Sequence, residues 1–379
     1  MSLIRYTAVM ILREFAQDLT ELCFHTPLAS GRPLRWTIIA NPTAGGFTIR
    51  SRWKKHQTAL KDAREIAAKK ARRDNAGPSQ TAREADGSSG DLGNLGLIPT
   101  REPGHAGKIV RALLDEAGAE AGSSFHLLIT AGGDGTTLEA LIPLFEAPPV
   151  LRSRFAVLRL PMGTGNDGAD AWELDKALEL LLYPTRIERA RALRLTTRTP
   201  GKGPFLAFNI LSVGLDAFVT HMTNKTKNKL PGDSYKLWVD IASLLYDRLY
   251  RVGPLEVRAF DGTGRTVQAF REPLLLLAVG ASGRRTYGSH KRILPDDRNV
   301  CGVKQMPLLR KVALKGLFTT GGHIDKPESI LFTADRVEFR GEYPILAQMD
   351  GEAILLTPED FPGTIELTDP VIPVLKRSL

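Results

Sequence analysis

The stretch LLITAGGDGTTLEAL, residues 127–141, decides the fold. Leu127-Leu128-Ile129-Thr130 has strand character and runs into Ala131-Gly132-Gly133-Asp134-Gly135-Thr136, after which the pattern turns helical. A glycine turn between a strand and a helix N-terminus is a ready phosphate site, because its N–H groups are exposed and the helix dipole favours anions. Asp134 opposes that reading. Two unit charges about 4 Å apart repel by roughly 4 kcal/mol at an effective dielectric near 20. A magnesium ion reverses the sign by sharing its oxygen shell between carboxylate and phosphate. The aspartate is therefore consistent with a ligand that arrives as a magnesium–polyphosphate complex, or with a tight turn in which Asp134 caps the next helix.

Working outward, RWTIIANP (35–42) and FAVLRLP (155–161) read as two further buried strands, and LGLIPT (95–100) as a short one. Helical patterns follow each of them: to about Arg73, at AGKIVRALLDEAG (106–118), from Thr136, and at WELDKALELLL (172–182). Strands alternating with helices imply a parallel sheet covered on both faces. Ligands of such sheets gather beyond the carboxyl ends of the strands, where Asn41, Thr100, Gly132 and Gly163 all fall. Residues 74–96, rich in Gly, Ser and Asp, read as a flexible surface insertion. After about Tyr183 short β-rich runs take over, with hairpin signals at Asp261-Gly262-Thr263-Gly264 and Asp350-Gly351. One helical pattern, SYKLWVDIASLLYDRLY (234–250), interrupts them.

The expected architecture is an α/β nucleotide-binding domain over 35–185, carrying the insertion, followed by an antiparallel β-sandwich over 186–379. The C-terminal segment is expected to be able to return to the first domain. Residues 1–34 read as an N-terminal extension, an amphipathic helix packed on the body rather than a secretory signal.

The 379 residues carry a formal charge of +9, which fits an anionic partner: nucleotide, nucleic acid or phospholipid surface. Much of the excess lies between Arg50 and Arg73, where a solvated face explains it equally well. Cys23 and Cys301 are the only cysteines, too few for a disulfide framework, so a reducing, cytoplasmic compartment is expected.

Five further motifs stand beside the central one. Asn41-Pro42-Thr43-Ala44-Gly45-Gly46 leaves room for a nucleotide and offers Asn41 and Thr43 as polar contacts. Pro161-Met162-Gly163-Thr164-Gly165-Asn166-Asp167 has the same strand–glycine–helix placement, with Thr164 for a phosphate and Asn166 and Asp167 for ribose or metal-bound water. Gln348-Met349-Asp350-Gly351-Glu352 is a hairpin turn whose tip can project Glu352 as a proton acceptor. Leu294-Pro295-Asp296-Asp297-Arg298-Asn299 is either a solvated turn or a magnesium loop. Asp216, in NILSVGLDA (209–217), is either a helix cap or a contact to a polar head group.

Together, in this order, the motifs resemble the catalytic domain shared by diacylglycerol kinases, sphingosine kinases and bacterial lipid kinases, part of a wider NAD kinase-like group. The resemblance runs from about Trp36 to about Leu367 and includes Thr100 to Ala106, T-x-x-x-GHA. It implies Mg–ATP contacts at Asn41, Thr43, Thr100, the loop Gly132, Gly133, Asp134, Gly135, Thr136, Thr137 and Leu138, and at Gly163, Thr164, Asn166 and Asp167. It implies catalytic roles for Asp134, Asp350 and Glu352, and substrate contact at Asp216. It also implies a structural magnesium held by the Leu294 carbonyl, Asp297 and the Asn299 carbonyl. Three departures from the pattern are Gly168-Ala169-Asp170 after Asn166-Asp167, Ala281-Ser282-Gly283 in place of three glycines, and Arg298 in place of glycine.

The activity so implied is transfer of the γ-phosphoryl of Mg–ATP to a lipid hydroxyl, diacylglycerol-like or sphingoid. The enzyme would be cytoplasmic and peripheral at the inner membrane surface, bound transiently to anionic lipid, with no nucleic-acid partner and with a homodimer left open. A NAD kinase and a non-enzymatic anion- or nucleic-acid-binding protein are the alternatives.

Overall fold

The computed structural model describes residues 2–29, 33–73, 95–120, 124–226, 246–288 and 291–378. The expected insertion, apart from its last two residues, and the greater part of the helical pattern at 234–250 lie outside them. The chain forms two compact units, Met1–Ala190 with Val371–Leu379, and Arg191–Pro370.

The first unit is built on a six-stranded sheet. Its strands are β1 (Leu34–Ala40), β2 (Leu97–Pro99), β3 (Phe125–Gly132), β4 (Phe155–Pro161), β5 (Thr185–Ala190) and the closing strand Ile372–Arg377. The order is β2-β1-β3-β4-closing strand-β5. The first five are parallel, and β5 runs antiparallel to the closing strand. Every residue of β3 and β4 is buried, as continuous apolar runs in a doubly covered parallel sheet require. The register aligns Ala40 with Ala131 and Gly132 with Pro161, so β1, β3 and β4 end at one level. Their following loops therefore emerge side by side.

Helix Arg50–Arg73 buries Trp53, Leu60, Ala63 and Ala67, a helical-period stripe beneath its charged face. Ser2–Phe24 is also a helix. It lays Leu12, Phe15, Ala16, Leu19 and Leu22 into the same core. Phe15 meets Phe47 edge-on with ring centroids 5.0 Å apart, and Arg64 reaches Asp18 at 2.7 Å. The N-terminal extension is thus part of the fold.

The second unit is antiparallel. It contains β6 (Leu193–Thr196), β7 (Phe205–Ala207), β8 (Ile210–Gly214), β9 (Pro254–Phe260), β10 (Thr266–Gly280), β11 (Arg285–Tyr287), β12 (Lys291–Leu294) and β13 (Val300–Lys304). After these come β14 (Ser329–Phe332), β15 (Arg336–Gly341), β16 (Ile345–Met349), β17 (Glu352–Leu356) and β18 (Gly363–Leu367). β10, which reads in the sequence as two separate runs, is one strand of 15 residues. Its first half pairs with β9 and its second half with β8 and β13. It thereby joins two sheets, whose inner faces (Val257, Val337 and Ile365 on one, Val213, Ala347 and Val279 on the other) share a single core.

Phe15 is fully buried between two helices, so Phe15→Ala should cost about 3–5 kcal/mol, cavity included. Chemical denaturation of the whole chain is the check.

Candidate active site

The sequence places glycines where the three loops of the first unit touch. A Cβ on Gly163 would stand 2.6 Å from the Gly133 Cα, and one on Gly46 would stand 2.9 Å from the Met162 carbonyl oxygen. Real side chains do not tolerate such contacts, so both positions require glycine. The Gly46 N–H donates to the Met162 carbonyl at 2.8 Å, and the Asn41 N–H to the Ala131 carbonyl at 2.9 Å. Thr100 joins the same edge through its N–H to the Ala40 carbonyl, 2.8 Å.

The polar side chains of these loops organise one another. Asn41 Oδ1 accepts from the Thr43 N–H and hydroxyl at 3.0 and 2.8 Å, and its Nδ2 approaches Thr136 Oγ1 at 3.5 Å. Asn166, held at a positive φ of 59°, accepts the Gly163 N–H at 2.6 Å. The Thr130 and Thr137 hydroxyls are 3.0 Å apart. Thr43 and Thr164 remain exposed at the loop tips. Leu138 is buried, 6% exposed.

Asp134 does not cap its own helix; Gly133 takes the cap position. Its Oδ1 accepts the Gly168 N–H at 2.9 Å, so the carboxylate ties the central loop to the β4 loop. Burial raises its pKa, against the pull of the backbone N–H groups of Gly168, Asp167 and its own residue. A Cβ on Gly165 would lie 3.1 Å from both Asp134 Oδ2 and Asp167 Oδ2. Two carboxylates thus converge on one glycine, among backbone approaches that only glycines permit. This donor set fits a divalent cation carried in by a phosphate chain.

Two residues outside the expected set complete this part. Arg52, in the first turn of helix Arg50–Arg73, reaches the Gly163 carbonyl at 3.3 Å and stands over Gly45. The sequence showed it only as one charge in a basic run. Asp170 forms a buried ion pair with Arg159 of β4, 2.6 Å, and also accepts the Arg159 N–H at 2.7 Å. The departure Gly168-Ala169-Asp170 is thereby explained: one residue serves Asp134 and another locks the loop to the strand.

In the second unit Asp350 and Gly351 form the two-residue turn of the β16–β17 hairpin, with φ of 44° and 95° and Met349 paired with Glu352. The Asp350 carboxylate accepts the N–H groups of Phe208, Asn209 and Ile210. Those donors fall where β7 gives way to β8, so this carboxylate breaks the single run FLAFNILSVG in two. It is a positioning group for the turn. Glu352, next along, has an exposed side chain.

Asp216 is neither a cap nor a surface contact. It is 2% exposed and accepts the Ser212 hydroxyl, and Gln348 Nε2 at 3.0 Å. Gln348 Oε1 accepts the Gly351 N–H at 3.0 Å, and Asn224 Nδ2 donates to the Gly351 carbonyl at 2.9 Å. Ser212, Asp216, Gln348 and Asn224 therefore form a polar network under the Glu352 turn. Only the pairing of buried donors and acceptors reveals it, and spacing in the sequence carries no such signal.

In the loop expected to hold a structural magnesium, arginines engage both aspartates. Asp297 is paired with Arg284 at 2.7 Å, and Asp296 is clasped by Arg298 at 2.5 Å. Both carboxyls are held below the usual range by those guanidinium hydrogen bonds. The Asn299 carbonyl accepts the Gly280 N–H at 2.8 Å, and its side chain is spent on Ala334. Leu294 lies in β12 opposite Arg285. Among the described residues no three acidic, histidine or cysteine side chains gather as a metal cluster. Arginines have taken over the neutralising task, and Gly283, which has no room for a Cβ against the Asp296 and Asp297 backbone, closes the loop directly.

The first unit thus carries three interlocked glycine loops on its α/β sheet, and the second unit is antiparallel. Residues 35–196 match the diacylglycerol kinase catalytic domain. Two YegS-like lipid kinases of Xanthomonas are similar to it. The one from Xanthomonas euvesicatoria pv. vesicatoria is 28% identical over 280 residues, 71% of this chain and 84% of its own. The one from Xanthomonas axonopodis pv. citri is 27% identical over the same length. Solved structures described as a diacylglycerol kinase of Bacillus anthracis str. Sterne share the fold. The first two have TM-scores of 0.52 and 0.53 at 19% and 18% identity, covering 90% of this chain and 96% of theirs.

Burial pushes the Asp216 pKa up to about 6, against the Ser212 hydroxyl, the Lys291 charge and Gln348. Between pH 3.8 and about 6 the folded state keeps a proton that the unfolded chain has lost. Wild-type stability should therefore fall as pH rises through that window and level off above it. Asp216→Asn lacks this loss, so its stability relative to wild type should rise by roughly 2–3 kcal/mol across the window, measured by urea denaturation.

Proposed function

We propose that the chain is an ATP-dependent lipid kinase that transfers the γ-phosphoryl of Mg–ATP to the hydroxyl of a diacylglycerol-like or sphingoid lipid. The observation that carries this reading is the convergence of the Asp134 and Asp167 carboxylates on Gly165 among the three glycine loops. Asn41, Thr43, Thr100 and Thr164, with the backbone from Gly132 to Thr137 and at Gly163, bind the nucleotide. Arg52 adds a positive charge to the same loops. Magnesium enters with ATP as part of the substrate and neutralises charge between phosphate and carboxylate.

In the reaction the lipid hydroxyl oxygen bonds to the γ-phosphorus while the bond to the β,γ-bridging oxygen breaks, and ADP leaves. Glu352 takes the hydroxyl proton. Its exposure on a turn pinned by Asp350 and Gln348 supports that role. Asp216 acts beneath it as a positioning residue. The basic face of helix Arg50–Arg73, with Lys54, Lys61, Lys69, Arg72 and Arg73 exposed, supports a cytoplasmic, peripheral location against anionic lipid. The match of residues 35–196 to the diacylglycerol kinase catalytic domain supports the kinase reading over a nucleic-acid-binding one.

The test is incubation with labelled ATP, magnesium and a total lipid extract. An organic-soluble labelled product is expected, with kcat lowered about 100-fold or more by Glu352→Gln and by the near-isosteric Asp134→Asn at unchanged melting temperature. Absence of a lipid product, or full activity in both variants, contradicts the proposal.

A further inference from the structure

Helix Leu308–Lys315, LLRKVALK, is amphipathic the wrong way round for a helix of a water-soluble surface. Leu309 is 85% exposed, Val312 53% and Leu308 41%, while Lys311 is only 6% exposed. Lys311 is turned inward to an ion pair with Asp247 at 2.7 Å, and Leu314 beside it is buried. Ala313 and Gly316 are exposed too, so the outward residues 308, 309, 312, 313 and 316 fall on one helical face. In the same protein helix Arg50–Arg73 does the reverse, hiding Trp53 and Leu60 and showing its lysines.

An outward apolar face needs an occupant. Charge identifies it. Apart from the inward Lys311, the eight residues carry Arg310 and Lys315 and no acid, and Arg310 is half-exposed beside its partner Glu328. Leucine and valine flanked by cations are the chemistry of a helix lying in the boundary between head groups and acyl chains. The net charge of +9 favours an anionic leaflet.

We infer that Leu308–Lys315 is a membrane-docking helix, which inserts Leu308, Leu309 and Val312 into an anionic phospholipid bilayer with Arg310 and Lys315 toward the head groups. The inference deepens the proposed function, since a kinase whose acceptor sits in a bilayer must hold that surface. It adds a contact on a particular short helix to the one drawn from the basic face of helix Arg50–Arg73.

The experiment is co-sedimentation of the full chain with phosphatidylcholine vesicles with and without about 30 mol % phosphatidylglycerol, for wild type and Leu309→Ser/Val312→Ser. Wild type should partition onto the anionic vesicles, and the variant should do so at least about tenfold less at unchanged melting temperature. Phosphorylation of a detergent-solubilised acceptor should be equal in both, which keeps loss of docking separate from failure of the kinase reading. Equal vesicle binding by wild type and variant overturns the inference. So does no binding by wild type, or a wild-type dimer that the variant dissolves while still binding vesicles, because the face would then be a protein interface.

Discussion

Two carboxylates share one glycine, and the chemistry of the chain follows from that crowding. Asp134 and Asp167 each bring an oxygen to 3.1 Å from the place a Gly165 side chain would fill. Phosphate oxygens brought to that glycine would meet two acidic groups, and the proposed function sets a divalent cation among them. The surrounding loops exist in the form they do because Gly163 passes the Gly133 Cα with no room for a methyl group.

The same principle is handled differently in the second unit. There, acidic groups are neutralised from within the chain: Asp350 by three backbone N–H groups, Asp296 and Asp297 by arginines, and Asp216 by a raised pKa and two side-chain donors. Each of these carboxyls is satisfied by the fold, and each fixes a turn or strand junction. Glu352 lies exposed at the end of such a turn.

Much of this was legible in the sequence. Strand–glycine–helix punctuation is local, and the parallel sheet with its row of loops followed from it directly. The hairpin at Asp350-Gly351 was legible for the same reason, since a turn that demands positive φ selects its residues. What escaped was set by distant partners. Arg52 looked like any cation in a charged helix until helix and loop were placed together. Asp216 looked like a cap because the Gln348 amide that helps to bury it comes from a distant strand, and nothing in the spacing shows that Ser212 turns inward to it. The join at β10 was missed because Arg271 and Glu272 interrupt the apolar pattern just where the strand passes from one sheet to the other. The loop at Asp296 and Asp297 stayed open between a turn and a metal site because two adjacent aspartates look alike whether a cation or a guanidinium answers them.

The most direct measurement is the affinity for ATP, by isothermal titration, with magnesium and after chelation, in wild type and in Asp134→Asn. If a divalent ion reconciles the two carboxylates with the phosphates, wild type should lose at least about tenfold in affinity on chelation, and Asp134→Asn should lose much less. ATP held equally tightly by wild type with and without the ion would contradict the account.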